Sequence, residues 1–169
     1  MLKNCDPKIK ELIERHIEFA KNTLIELKHF QPMALGINAL EGKSYVFLLL
    51  WDSVKEKYNM INQLKKSAFE LGITRWLFMS EAWIKTCKKD ETIDPSRAVS
   101  TYADRKECII ISSYGLLEKG IMASFVFEKV NDDIIFEETI WLTIGDQWTD
   151  NLWGDAFNES WFHQKKKGN

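Results

Sequence analysis

The first thirty residues carry apolar side chains at steps of three and four residues, with polar side chains between them. This spacing predicts an amphipathic helix over residues 6 to about 30. Asp6 can cap its N-terminus, and Pro7 stands at the first helical position, where a missing N–H leaves no hydrogen bond unmade. The apolar stripe consists of Ile9, Leu12, Ile13, Ile17, Ala20, Leu24 and Leu27.

Two apolar runs follow this helix, at residues 33–39 and 44–51. The turn residues Glu41-Gly42-Lys43 lie between them, and a glycine there supplies the positive φ angle that a tight turn needs. The two runs therefore predict a β-hairpin.

A second helix is predicted between residues 52 and 72. Asp52 or Ser53 can cap its N-terminus, and Gly72 stands where helices commonly end. Its apolar stripe consists of Tyr58, Ile61, Leu64, Ala68 and Leu71.

Four more runs predict strands, at residues 73–85, 106–113, 120–130 and 134–144, with Asn131-Asp132-Asp133 as a tight turn. Short connections of this kind favour an antiparallel meander. We therefore expect a single α+β domain over residues 1–169, with an antiparallel sheet of about six strands flanked by helices. The predicted order is helix, two strands, helix, strand meander and a short C-terminal helix.

The third predicted strand alternates between a mostly apolar face and a mixed face. The apolar face consists of Trp76, Phe78, Ser80, Ala82 and Ile84. The mixed face consists of Arg75, Leu77, Met79, Glu81, Trp83 and Lys85. Because charge and aromatic surface occur together on the mixed face, we expect a ligand or partner there.

Charged residues also gather after this strand, and they can form a polar cluster if the intervening loop folds back. The candidate catalytic or anchoring carboxylates are Glu81, Asp104 and Glu107. The candidate ligand-binding residues are Trp83, Ser96, Arg97 and Arg105. The alternative is an internal ion-pair network that holds the loop onto the sheet. If Glu81 is buried, Arg97 or Arg105 is its expected partner, because an unpaired buried charge costs several kcal/mol.

Composition argues against several partner classes. Lys and Arg total 23 against 25 Asp and Glu, and because the net charge is -2 we do not expect a nucleic-acid partner. The longest apolar run, residues 45–51, is far below the roughly 18 to 20 residues that span a bilayer, so we expect no membrane segment. The N-terminal residues show no secretory signal, and we expect a cytoplasmic protein.

Motifs for cofactors and metals are missing from the sequence. There is no Walker loop, dinucleotide glycine fingerprint, nucleophile elbow or Cys-x-x-Cys pair, so no cofactor is expected. The histidines and cysteines are widely spaced, which predicts no metal site and reduced thiols. These residues are His16, His29, His163, Cys5, Cys87 and Cys108.

The C-terminal stretch is unusually aromatic. Trp153, Phe157 and Trp161 share a four-residue step that is typical of a short helix, although Gly154 and Asn158 weaken that propensity. These aromatics either cap the core on the sheet or form a partner-binding or self-association segment.

The motifs Ser80-Glu81-Ala82-Trp83, Pro95-Ser96-Arg97 and Asp104-Arg105-Lys106-Glu107 resemble those of a loose group of small, uncharacterised bacterial, archaeal and phage-associated proteins. In that group a Glu-Ala-Trp strand is followed by a Pro-Ser loop and an Asp-Arg-x-Glu strand. The resemblance covers residues 73–113 and implies no activity. It implies that the positions to test are Glu81, Trp83, Pro95, Ser96, Asp104, Arg105 and Glu107.

The order of elements is similar to that of profilin-like and roadblock-like domains, in which helices flank an antiparallel sheet. That resemblance implies a scaffold or a small-ligand sensor. Two functional hypotheses follow. The first is a non-enzymatic binding domain, linked to phage or mobile elements, that acts as a homo-oligomer or accessory subunit. The second is a small enzyme or ligand sensor with a polar pocket around Glu81, Arg97 and Arg105.

Overall fold

An antiparallel sheet forms the body of the protein in the computed structural model, which describes residues 6–85, 92, 94, 96–115 and 120–144. Within those residues the strands are β1 Met33–Asn38, β2 Lys43–Leu48, β3 Arg75–Ile84, β4 Lys106–Gly115, β5 Gly120–Val130, β6 Asp133–Phe136 and β7 Ile140–Ile144. The order across the sheet is β2-β1-β3-β4-β5-β6, and β7 also pairs with β5. The predicted α+β fold with an antiparallel sheet is confirmed.

The first helix, α1, spans Pro7–Leu27 and begins as predicted. The Asp6 side chain accepts a hydrogen bond from the backbone N–H of Lys8 at 2.9 Å, which satisfies one of the unpaired donors of the first turn. The helix ends when Lys28 adopts a left-handed conformation with φ 61°. Its backbone N–H donates to the carbonyl of Leu24, so the last turn is closed.

The second helix, α2, spans Val54–Glu70. Of the two predicted caps, Ser53 is the one used, because its side chain accepts from the backbone N–H of Glu56 at 3.2 Å. Asp52 contributes differently, since its backbone N–H donates to the Glu56 carboxylate. Gly72 follows the helix with φ 61°, a conformation that glycine adopts without a steric penalty.

The two helices cover opposite faces of the sheet, because alternate residues of a strand point to opposite faces. Beneath α1 lies a buried cluster that takes Leu77 and Met79 from β3. Beneath α2 lies a second cluster that takes Trp76 and Phe78 from the same strand. The first half of β3 is therefore buried on both faces. On the mixed face predicted from the sequence, Leu77 and Met79 belong to the hydrophobic core.

A buried asparagine joins the β1–β2 hairpin to the end of α2. The amide nitrogen of Asn38 donates to the carbonyl of Leu71 at 2.9 Å, while its amide oxygen accepts from the backbone N–H groups of Leu40 and Glu41. Gly42 completes the turn with φ 65°, as predicted. The Asn38 side chain thus stabilises the hairpin turn and also holds the hairpin against the end of α2.

The strand predicted over residues 134–144 is two strands, β6 and β7, on the same edge of β5. Ser124 pairs with Ile140 and Phe127 pairs with Phe136, so two residues of β5 face the three residues 137–139. The extra residue makes a β-bulge, which reverses the alternation of side chains across it. Ile134, Phe136 and Trp141 consequently all pack toward the α1 cluster.

In the described part of the chain, neither helix has the length and apolar character needed to cross a membrane. The short helix predicted for the C-terminal stretch lies in residues 145–169, outside the described residues.

Candidate functional site

Strand register brings the two charged motifs side by side. Trp83 of β3 is the cross-strand partner of Glu107 of β4, and Ala82 is the partner of Cys108. Residues separated by more than twenty positions in sequence therefore share one end of the sheet. This is the end at which the loop leaves β3 and returns to β4.

Arg105 stacks on Trp83 at this end. The centre of its guanidinium lies 4.5 Å from the centroid of the Trp83 ring, and its Nη1 donates to the carbonyl oxygen of Tyr102 at 3.0 Å. The indole remains 42% exposed. A guanidinium over an indole face is attracted by the ring quadrupole, so the pair forms an ordered platform of charge and aromatic surface.

Next to this platform is a cavity of about 400 Å³. Its lining residues are Trp83, Arg105, Lys106, Glu107, Val126, Phe127, Glu128, Lys129 and Glu137. Two ion pairs join residues of its lining: Lys106 to Glu137 at 2.6 Å and Lys129 to Glu107 at 3.8 Å. The hydrogen bond and charge of Glu137 raise the pKa of Lys106 above its ordinary value.

Asp104 does not line the cavity but pairs with Lys85. Its Oδ2 accepts from the Lys85 ammonium at 2.6 Å, and the Lys85 side chain is only 6% exposed. The hydrogen bond from Lys85 is the main reason that the pKa of Asp104 is lowered. Lys85 also lies over the ring of Tyr102, 5.1 Å from its centroid, so this candidate carboxylate holds the loop onto the end of β3.

Arg97 and Ser96 organise the loop itself. The guanidinium of Arg97 lies 4.1 Å from the Tyr102 centroid and donates to the side chain and carbonyl oxygens of Thr101, both at 2.9 Å. The Ser96 hydroxyl and backbone N–H donate to Asp94, which lowers the pKa of that carboxyl. Neither Ser96 nor Arg97 lines the cavity.

Glu81 has a backbone partner. Its Oε1 accepts a hydrogen bond from the backbone N–H of Phe30 at 2.5 Å, and the residue is exposed. Among the described residues, Glu81 forms no ion pair with Arg97 or Arg105. Of the seven candidate residues, the structure thus brings three to the cavity, namely Trp83, Arg105 and Glu107.

The other lining residues were missed in the sequence. Phe127, Glu128 and Lys129 come from β5, and Glu137 follows β6. The available signal was the change from apolar to charged residues after Phe127, together with a meander that places β5 beside β4. The strand register that aligns Glu107 with Phe127 requires the structure.

The thiol of Cys108 lies beside this site on the opposite face of β4. It is fully buried and free, and burial raises its pKa to about 11. A thiol with this pKa is protonated at neutral pH, so it is a weak nucleophile. His16 lies in α1, and its Nδ1 is at hydrogen-bond distance from the carbonyl oxygen of Leu12. His29 lies just beyond α1, and its Nδ1 is at hydrogen-bond distance from the carbonyl oxygen of Leu27.

Within the described ranges, no three His, Cys, Asp or Glu side chains group closely enough to hold a metal ion. Comparison of the chain with protein-family models, with curated proteins and with solved structures found no match in any of the three.

Proposed function

We propose that this protein is a non-enzymatic binding domain that contacts a protein partner through the surface around Trp83 and Arg105. The main support is that the Arg105 guanidinium stacks on the partly exposed indole of Trp83 beside a cavity. Tryptophan and arginine are among the residue types enriched at the positions that dominate binding energy at protein interfaces. Because each holds the other in place, less side-chain freedom is lost when a partner binds.

The charges around the cavity support a protein partner of mixed charge. Three basic residues, Arg105, Lys106 and Lys129, stand against three acidic residues, Glu107, Glu128 and Glu137. A nucleic-acid surface instead needs an excess of cations to replace the counterions of phosphates. A balanced set of charges favours a partner that presents both signs.

The contacts of the candidate carboxylates support binding over catalysis. Asp104 pairs with Lys85, Glu107 with Lys129, and Glu81 accepts from the Phe30 backbone. Each carboxylate therefore contributes to the arrangement of the loop or the strand ends. Two of these contacts are separate ion pairs, Lys85–Asp104 and Lys129–Glu107, and the third is a hydrogen bond from a backbone N–H.

Self-association, as a homo-oligomer or accessory subunit, is supported by the sheet edge at β2. Val46 and Leu48 lie on the same face of this strand and are 66% and 54% exposed. Exposed apolar residues on an edge strand promote pairing with another strand. Val46→Lys is expected to reduce the mass measured by light scattering if this edge joins two copies, and an unchanged mass would contradict that contact.

We propose that the protein is cytoplasmic. The three cysteines of the chain are widely spaced, and Cys108 is a free buried thiol, which suits a reducing compartment. An association with phage or mobile elements has the motif resemblance as its support.

Affinity capture with matched variants tests the binding surface. The full chain, Trp83→Ala, Arg105→Ala and Arg97→Ala are used as baits, and the captured proteins are quantified by mass spectrometry. Arg97 is the control because it also stacks on an aromatic ring but lies outside the cavity. We expect a protein that the full chain and Arg97→Ala retain and that the other two lose. An identical set of captured proteins for all four baits would contradict the proposal.

A small-molecule ligand is the second candidate, favoured by the size of the cavity. About 400 Å³ falls within the roughly 300 to 1,000 Å³ typical of ligand pockets. A thermal-shift screen against metals, nucleotides and organic acids tests it, because a ligand that binds the native state raises the melting temperature. A shift that disappears in Trp83→Ala and persists in Arg97→Ala would favour this candidate.

A further inference from the structure

Arg105 is a cation that has no carboxylate partner in the described part of the chain. Its guanidinium contacts the Trp83 ring and the carbonyl oxygen of Tyr102, and neither group carries a negative charge. The residue is exposed, and it lines the cavity. An anionic group of a partner can therefore reach the charge of Arg105 directly.

The carboxylates next to Arg105 in the sequence contact lysines instead. Asp104 accepts a hydrogen bond from the Lys85 ammonium at 2.6 Å. The Glu107 carboxylate lies 3.8 Å from the ammonium nitrogen of Lys129. Neither acid is therefore bound to the guanidinium.

The other two acidic residues of the cavity lining act on Lys106. Glu137 pairs with it at 2.6 Å, and the charge of Glu128 also raises the pKa of Lys106. Among the described residues that line the cavity, Arg105 is thus the cation that no carboxylate neutralises.

The stacked position of Arg105 leaves its hydrogen-bond donors accessible. A guanidinium carries five N–H donors that lie in its plane, and a ring stacked on it contacts the face of that plane. Nη1 donates to Tyr102, and among the described residues Nε and Nη2 have no acceptor. The N–H groups of Nε and Nη2 are parallel, which is the geometry that binds both oxygens of one carboxylate.

We propose that the partner presents an aspartate or glutamate side chain whose carboxylate binds Nε and Nη2 of Arg105. The inference rests on the proposed binding surface and adds the chemistry of the group that this surface recognises. An acidic side chain suits the site because the polypeptide around it can also cover the exposed part of the Trp83 ring. The contacts with Trp83 and Tyr102 hold the guanidinium in place, which lowers the entropy lost on binding.

A library of random peptides with amidated C-termini tests this inference. Peptides that bind the full chain are selected, and each is compared with an amide copy, in which Asn replaces Asp or Gln replaces Glu. We expect the amide copy to bind about tenfold or more weakly, because it loses hydrogen bonds between charged groups. The measurement is the dissociation constant of each peptide at one fixed salt concentration, since salt screens exposed charges.

Variants of the two stacked arginines show whether Arg105 is responsible. In Arg105→Gln the acidic peptide and its amide copy should bind equally, because the cation is gone. In Arg105→Lys only part of the difference should remain, because an ammonium group keeps the charge but not the two parallel donors. Arg97→Gln is the matched control, since Arg97 stacks on a ring outside the cavity, and there the full difference should persist.

Nuclear magnetic resonance of the native chain reports the contact without any substitution. The Nε–H proton signal of Arg105 should move downfield when the acidic peptide is added and stay in place with the amide copy. An unmoved signal at saturation would overturn the inference.

The outcomes separate this inference from the proposed function. If acidic peptides and amide copies bind equally but both require Trp83, the carboxylate contact is wrong and the binding surface stands. An acid preference that persists in Arg105→Gln would also overturn the contact. If no selected peptide requires Trp83, the inference fails, and the affinity capture described above decides the proposed function separately.

Two further probes distinguish other sources of a carboxylate. A parallel library has free C-termini, and acetate serves as a small organic acid. Binding that needs the free C-terminus, or acetate that moves the Arg105 signal as far as the acidic peptide does, would overturn the assignment to an acidic side chain.

Discussion

The Glu81 carboxylate accepts a hydrogen bond from the backbone N–H of Phe30, and this bond ties the turn after α1 to β3. The side chain of Phe30 is buried in the cluster beneath α1. The bond therefore fixes the point at which the chain leaves the helix and enters the sheet. An arginine was the expected partner of Glu81, and the two arginines instead stack on Trp83 and Tyr102.

Replacing Glu81 tests this bond. Glu81→Ala is expected to lower the free energy of unfolding by about 1 to 2 kcal/mol, because the Phe30 N–H loses its acceptor. The loss is smaller than the several kcal/mol expected from breaking a buried ion pair. Glu81→Gln retains an acceptor oxygen and should cost less than Glu81→Ala. Urea unfolding measures both, and equal stability of Glu81→Ala and the native chain would contradict the contact.

The Lys85–Asp104 pair predicts a dependence of stability on pH. Because the pKa of Asp104 is lowered in the folded chain, its contribution is present above the unfolded value near 3.8 and is lost as the pH falls through the folded value. Asp104→Asn should therefore be less stable than the native chain at pH 6. The difference should vanish toward pH 2, as measured by thermal unfolding along a pH series. A difference that stays constant with pH would mean that the charge is not involved.

The buried thiol of Cys108 predicts a loss of folding stability at high pH. Its pKa is raised from about 9 to about 11, so its contribution is present below pH 9 and is lost as the pH rises toward 11. Over that range the native chain should lose about 2 to 3 kcal/mol relative to Cys108→Ala, since one pKa unit corresponds to about 1.4 kcal/mol.

The measurement for Cys108 is urea unfolding at several pH values. Cys5→Ser and Cys87→Ser are introduced into both proteins so that a single thiol titrates. Parallel stability curves for the two proteins would show that the thiol ionises equally well folded and unfolded.

The stacking of Arg105 on Trp83 predicts an energetic coupling between them. In a double-mutant cycle with Trp83→Ala and Arg105→Ala, the coupling should be about 0.5 to 1 kcal/mol, the range for exposed cation–π pairs. The same cycle with Arg97→Ala serves as the control, because Arg97 stacks on Tyr102 instead. Coupling of Trp83 to Arg97 as strong as that to Arg105 would contradict the arrangement.

Gly36 predicts a packing constraint beneath α2. A Cβ atom at this position would lie 2.4 Å from Cδ1 of Ile73 and 3.0 Å from the ring of Trp76. Both side chains are fully buried, so neither can move without disturbing its neighbours. Gly36→Ala should destabilise by about 1 to 3 kcal/mol in urea unfolding. Gly42→Ala is the comparison for a glycine with open space but a positive φ.

Local signals explain why much of the fold could be predicted from the sequence. Asp6 and Pro7 mark the start of α1, Ser53 caps α2, and Gly42 turns the hairpin, each through chemistry within a few residues. The break at residues 137–139 carries no such signal. Both halves of residues 134–144 look like strand, and the bulge is fixed by how each half pairs with β5.

The candidate site could be predicted only in part, for the same reason. Trp83, Arg105 and Glu107 stood out as charge beside aromatic surface, and all three line the cavity. Lys129 lies in another strand, and its position depends on the register between β4 and β5. The partner of Glu81 is a backbone N–H, which every residue except proline possesses and no side-chain pattern reveals.

Strand β3 gives Leu77 and Met79 to the layer under α1, and Trp76 and Phe78 to the layer under α2. Unfolding of this strand would remove apolar contacts from beneath both helices at once. The two halves of the protein should therefore unfold in a single cooperative transition, with no stable fragment on either side of the strand. A chain divided at Gly72 would have to reassemble from both pieces before either half could acquire its native structure.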